Sequence, residues 1–139
     1  MKSKHQNATR LVPTLAALNG ALAVTFGTAG AHLIQDPVAK GWLTTASTFQ
    51  IAHAAAAIGV LALVPDRLGR WLALGLSVGA LIFATTLALM AFGCPRWLGA
   101  VTPIGGTLML FSWVILGARF VAAPGVRWTQ GQDGGADPR

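Results

Sequence analysis

The chain reads as an all-α integral membrane protein, a four-helix bundle running up, down, up, down. Four runs, Leu11–Leu33, Leu43–Val64, Trp71–Phe92 and Leu98–Ala118, contain no Asp, Glu, Lys or Arg. Each is long enough to cross a bilayer core, which takes about 20 helical residues. Apolarity within each run is continuous rather than alternating, so a lipid-facing barrel is excluded. Helix is then the conformation that pairs every backbone group in hydrocarbon. Tryptophans add a third observation: Trp42, Trp71 and Trp97 fall at run ends and Trp128 lies just beyond one, where an indole suits the headgroup level. Trp113 is the exception, inside the fourth run.

The elements follow in order. Residues 1–9 form a polar, basic stub, expected to fray. The first helix is expected over 10–34, with Pro13 in its first turn, where a missing N–H costs little. It stops before Gln35-Asp36-Pro37, because proline disfavours helical geometry in the residue preceding it. An outer loop reaches Trp42, and the second helix covers 43–64. Pro65 to Arg70 make a short turn before a third helix over 71–93. Cys94-Pro95-Arg96-Trp97 is a tight turn, so the fourth helix, over 98–120, lies antiparallel beside the third. The four helices make one membrane domain, 10–122. Residues 123–139 are rich in Gly, Pro and Asp and are expected to be disordered. Lys2, Lys4 and Arg10 ahead of an apolar run that ends in Ala29-Gly30-Ala31 imitate a secretory signal. The run is longer than such a segment needs and contains Asn19, so it is expected to be retained.

Charge placement sets the orientation. Formal net charge is +6. Lys2, Lys4, Arg10, Arg67, Arg70, Arg119, Arg127 and Arg139 share the side of the termini, against Lys40 and Arg96 on the other. The positive-inside bias places both termini in the cytoplasm. The basic balance thus reflects topology and lipid headgroups, and no groove-reading motif points to nucleic acid. Cys94 is the sole cysteine, which rules out an intramolecular disulfide; it reads as a small filler at a helix end.

Lipid gives helices no hydrophobic reason to associate, so contact depends on small residues that let backbones approach. On the first helix Ala16, Gly20, Ala23, Gly27 and Gly30 recur at four-three spacing. The second carries Ala46, Gln50, His53 and Ala57 in the same register, and the third offers Gly75 and Gly79. The polar residues of the spans, His32, Gln50, His53, Thr85, Thr86 and Thr102, are all expected in the outer half of the membrane. Gln50 and His53 share a helical face, and an intramembrane ionisable group is a functional candidate by default. The competing reading, here preferred, is a neutral histidine that hydrogen-bonds across a helix contact. His32 and His53 differ in expected depth by roughly 10 Å, too far for one metal or haem, and no thiolate pair or acidic ligand accompanies them. No metal and no cofactor is expected. Thr102-Pro103-Ile104-Gly105-Gly106 could be a broken-helix binding loop; a proline near a first turn, followed by glycines that admit a neighbour, is the simpler reading.

Three stretches carry a family resemblance: Gly20 to Val24 with Gly27 to Leu33, Phe49-Gln50-Ile51-Ala52-His53-Ala54, and Thr102 to Gly106. In this order and spacing the chain resembles, over roughly residues 11–120, the YgdD-like four-span membrane proteins of unknown function (domain of unknown function 423), to which transmembrane protein 256 is related. The resemblance implies the fold and a bacterial inner-membrane location, and brings no activity. It departs at Phe49, where the family usually has an aromatic hydroxyl, and at Phe83 to Ala88, where the family typically reads Phe-Ser-Gly-Ser-Leu-Tyr. The expected function is a structural or accessory membrane module in the lipid bilayer, as a homo-oligomer or within a larger complex. The alternative is a site for a quinone or lipid around His53 and Gln50. An enzyme ranks last, because no nucleophile or carboxylate pair is present.

Overall fold

A computed structural model describes residues 2–122, with side chains from Arg10 onward. It contains four long helices, α1 (Lys2–His32), α2 (Pro37–Leu63), α3 (Arg67–Ala91) and α4 (Thr102–Ala122), with a 3₁₀ turn at Arg96–Ala100 before the last. All four are long and apolar enough to span a membrane. The expected tail, 123–139, lies outside the described residues.

Helix ends differ from expectation in ways their caps explain. Residues 2–9 continue α1 without a break, so Pro13 stands inside that helix. It therefore denies Thr9 O its bond, which costs more than a first-turn position would. Gln35-Asp36-Pro37 stops α1 and also starts α2, six residues earlier than Leu43. Asp36 accepts from Ala39 N at 2.8 Å, and Pro37 at the first helical position arrives with its φ preset. Asp66 does the same for α3, accepting from Gly69 N at 2.9 Å. At the far end of α3, Gly93 adopts φ 92°. Gly93 N then reaches Met90 O at 3.1 Å and Cys94 N reaches Leu89 O at 2.9 Å, a left-handed closure that glycine permits cheaply.

α3 is the hub. It packs along α2 and α4 and, more lightly, α1; α1 and α2 form the other close pair, while α4 rests on α3 and the 3₁₀ turn. Toward the termini, the core is Val12, Ala16, Ala57, Val60, Val64, Leu72, Ala73, Leu76 and Leu116. Toward the opposite end it is Ala29, Leu43 and Ala88, with Ala46, Ala84 and Leu87 beside them. Alanine dominates these contacts because a methyl group keeps helix axes close where dispersion is the main attraction.

The tightest approach joins α3 to α4. A Cβ on Gly105 would lie 2.6 Å from Gly79 O and 2.7 Å from Phe83 N; one on Gly79 would lie 2.8 Å from Gly105 O. Those neighbours are backbone and cannot swing aside. Gly75 faces the Ser112 hydroxyl, Gly27 the Ser47 hydroxyl and Gly30 the Leu43 Cβ. Ala23 is buried, whereas a Cβ on Gly20 would meet nothing within 4 Å. Below the bundle, Arg119 on α4 pairs with Asp66 at 3.8 Å, both about half exposed; such a pair contributes little, of order 0–1 kcal/mol.

Candidate functional site: a polar knot at mid-span

Between the two apolar layers lies a polar one. Asn19 from α1, Gln50 from α2 and Ser77 from α3 are each 0% exposed. Asn19 Nδ2 donates to Ser77 O at 3.0 Å and to Leu15 O at 2.9 Å. Gln50 Nε2 donates to Asn19 Oδ1 at 2.9 Å. These partners fix both amides. Carbonyls only accept, so Asn19 must turn its NH₂ toward them, leaving Oδ1 for Gln50, which must answer with its own NH₂. Gln50 Oε1 and Ser77 Oγ have no partner among the described residues. One amide network thus ties three helices together.

Gln50 is the middle residue of the 27-residue α2, not part of an outer-half cluster. The earlier start at Pro37, with the end almost unchanged at Leu63, moves the midpoint of the helix from about residue 53 to Gln50. His53 is three residues further toward the termini end. Although Gln50 and His53 are one turn apart, they diverge: Gln50 points to α1, whereas His53, half-buried, reaches α4.

His53 Nδ1 lies 2.7 Å from Phe49 O, and Trp113 Nε1 donates to Nε2 at 3.3 Å. A carbonyl cannot donate and an indole N–H cannot accept, so the pair of contacts is satisfied by a neutral ring protonated at Nδ1. Phe49 stacks on the imidazole at 5.9 Å and Phe83 follows at 4.9 Å from Phe49. The hydrogen bond to Trp113 links α2 with α4, helices that otherwise meet through α3. Trp113→Phe keeps an aromatic side chain, though a smaller one, and removes the donor; the expected loss from the bond is about 0.6 kcal/mol, the mean for such bonds between membrane helices, read from unfolding in mixed micelles.

The remaining candidates are dispersed. Thr86 and Thr102 meet at 2.9 Å, joining α3 to the first turn of α4. Thr86 also donates to Phe83 O at 2.9 Å, so the Thr102 hydroxyl supplies the proton of their shared bond. Thr85 is half-buried beside it. Pro103 is exposed in the first turn of α4, Gly105 is buried against α3, and Gly106 is half-buried; the helix is continuous through all three. His32 ends α1 and is exposed. It sits near the start of α2, and from Pro37 to His53 a helix descends about 24 Å, so the two histidines are further apart in depth than expected. Among the described residues no three His, Cys, Asp or Glu side chains gather.

Sequence reasoning passed over Asn19 and Ser77. The signal for Asn19 was present: Val12, Ala16, Asn19 and Ala23 are the buried face of α1, one position away from the stripe drawn through Gly20. An amide within such a small-residue face needs a partner in hydrocarbon. Ser77, between Gly75 and Gly79, carried no comparable mark, because its contribution to the network is a backbone carbonyl.

A second feature lies at the end opposite the termini. A cleft of about 460 Å³ opens between the start of α2 and the end of α3. Asp36 and Trp42 line one side, Cys94 and Arg96 the other, and Met90 and Ala91 contribute apolar surface.

The comparisons with known proteins agree on a family. The DUF423 profile, described as a protein of unknown function, matches residues 26–106. A UPF0382 membrane protein of Staphylococcus saprophyticus is 33% identical over 107 residues, covering 73% of this chain and 89% of its own. One from Haemophilus influenzae is 33% identical over 108 residues, covering 74% and 87%. The UPF0382 inner membrane protein YgdD of Escherichia coli is 28% identical over 113 residues, covering 77% and 86%. No solved structure matches. With four candidate spans and relatives named as membrane proteins that it matches along most of their length, this chain belongs to the DUF423 family of unknown function.

Proposed function

We propose that the protein is a structural or accessory module of a bacterial inner membrane, both termini cytoplasmic, that associates with itself or with a larger membrane complex. The observation that supports this reading is that most polar groups of the spans are taken up by one another or by backbone, Gln50 Oε1 and Ser77 Oγ being the buried exceptions among the described residues. Asn19 and Gln50 are tied inside a tight core, Thr86 bonds Thr102, Ser47 Oγ donates to Ala23 O at 2.7 Å, and His53 is taken up by Phe49 and Trp113. A transporter or enzyme would aim such groups at a cavity. The outward faces carry Val24, Ile51, Ile58, Leu110, Phe111 and Val114, all exposed, as lipid-facing or partner-facing surface requires. The charge bias supports the orientation.

One preparation tests the function: isolation in mild detergent, followed by absorption spectroscopy, elemental analysis and sizing. The proposal expects no stoichiometric chromophore or metal and co-migration with other membrane proteins or with further copies. A bound quinone, haem or metal at one per chain, lost on His53→Gln without unfolding, refutes it. Reporter fusions after Ala122 and near Arg67 should both read cytoplasm; a periplasmic reading at either position reverses the orientation.

A further inference from the structure

We propose that the cleft between the start of α2 and the end of α3 holds the headgroup of phosphatidylethanolamine, its ammonium against Asp36 and its phosphate against Arg96. The cleft's volume, about 460 Å³, falls in the ordinary range of small-ligand sites, about 300–1,000 Å³. Its depth selects lipid. The cleft lies where α2 begins and α3 ends, at the level of Trp42 and, in the adjoining turn, Trp97. Aromatic residues at helix ends mark the headgroup region. Met90, Ala91 and the Trp42 ring give the lower part an apolar surface, suited to the glycerol and first methylenes, while the charged residues occupy the upper part.

The rim charges select the headgroup. Asp36 and Arg96 line one cleft, yet among the described residues the ion pair is Arg119–Asp66, at the other end of the bundle. Two opposite charges that share a cleft without pairing complement a ligand with both signs. Asp36 Oδ2 already accepts from Ala39 N, which holds the carboxylate in place on a rigid helix start; Oδ1 has no partner among the described residues. An ammonium with three N–H donors can use that oxygen. A choline headgroup has no N–H to offer, and glycerol headgroups bring only negative charge toward Asp36. A guanidinium takes a phosphate through two parallel bonds. Of the ethanolamine, choline and glycerol headgroups, ethanolamine is the one that satisfies both residues.

The test uses the full chain in nanodiscs of phosphatidylethanolamine, phosphatidylcholine or phosphatidylglycerol, each mixed with a common inert lipid. Cys94, the sole cysteine, lines the cleft and reports occupancy through its rate of alkylation by a water-soluble maleimide. The rate should be lowest in phosphatidylethanolamine, by roughly two- to fivefold relative to phosphatidylcholine, the span of one exposed charge contact. Asp36→Asn keeps the α2 cap, since Asn caps as well as Asp, and should abolish that difference while favouring phosphatidylglycerol. Arg96→Gln should remove protection by both phosphatidylethanolamine and phosphatidylglycerol. Native mass spectrometry of the same samples should show phosphatidylethanolamine retained over the other lipids on the wild type alone. Equal alkylation rates and equal retention in all three lipids overturn the proposal. So does a preference that survives both substitutions. Protection by soluble phosphoethanolamine equal to that by the lipid would assign the site to a free metabolite and overturn it as well.

Discussion

Gly105→Val should separate α4 from α3. The added atoms would meet Gly79 O and the Phe83 backbone, 2.6 and 2.7 Å from the Cβ position, and backbone on a neighbouring helix cannot rotate out of the way. Overpacking usually costs about 1–3 kcal/mol; here the clash is with backbone on both sides of the α3–α4 interface, so the upper part of that range is expected. Parting the helices would also stretch the Thr86–Thr102 and Trp113–His53 bonds. Unfolding midpoint in mixed micelles, together with engineered disulfide trapping between α3 and α4, would read the loss. Gly105→Ala, whose Cβ alone makes those contacts, and Gly20→Ala form the matched pair. Nothing lies within 4 Å of the new methyl group at Gly20, and alanine favours helix over glycine, so that variant should be neutral or slightly more stable. Equal effects at the two sites would show that the α3–α4 approach is not as close as described.

Asn19→Leu should be nearly as damaging, for a different reason. It removes the acceptor of Gln50 Nε2 and the donor to Ser77 O while keeping approximate side-chain volume. Leaving a buried amide unpaired costs about 1–3 kcal/mol. Gln50→Met strands Asn19 Oδ1 and should cost a similar amount. Combining them removes both polar groups, so the double variant should lose less than the sum. A buried polar network replaced by apolar groups of the same shape is often close to neutral. A double-mutant cycle isolates this coupling, expected at about 0.6–2 kcal/mol. Strict additivity would mean that the two amides do not touch.

These effects bear on what the sequence could disclose. Four spans, their antiparallel order and the family were legible because hydrocarbon imposes length, helicity and end-group rules on every residue. The α3 glycines stood out at small-residue spacing, and Gly105 lay in the stretch that marks the family. Helix ends were harder to place. Gln35-Asp36-Pro37 looks like an interruption, yet the same three residues cap one helix and launch the next. Those six added residues move the midpoint of α2 by three to four positions, so that Gln50 falls at the middle rather than in the expected outer half. Facing directions were least legible. Gln50 and His53, one turn apart, look like partners along a single helix; their separation depends on α1 bringing Asn19 to one and α4 bringing Trp113 to the other. Such three-body placement is a property of helix packing, and one-helix periodicity does not contain it.

Solid-state NMR on the protein in lipid bilayers, with asparagine labelled at ¹³Cγ and glutamine at ¹⁵Nε2, reads the Asn19–Gln50 contact without perturbing it. A through-space ¹³Cγ–¹⁵Nε2 correlation at the short distance of a hydrogen-bonded pair should appear, with the amide protected from deuterium exchange, and should vanish in Gln50→Met. If no such correlation is seen, or if both amides exchange freely with water, the buried knot that organises this bundle does not exist.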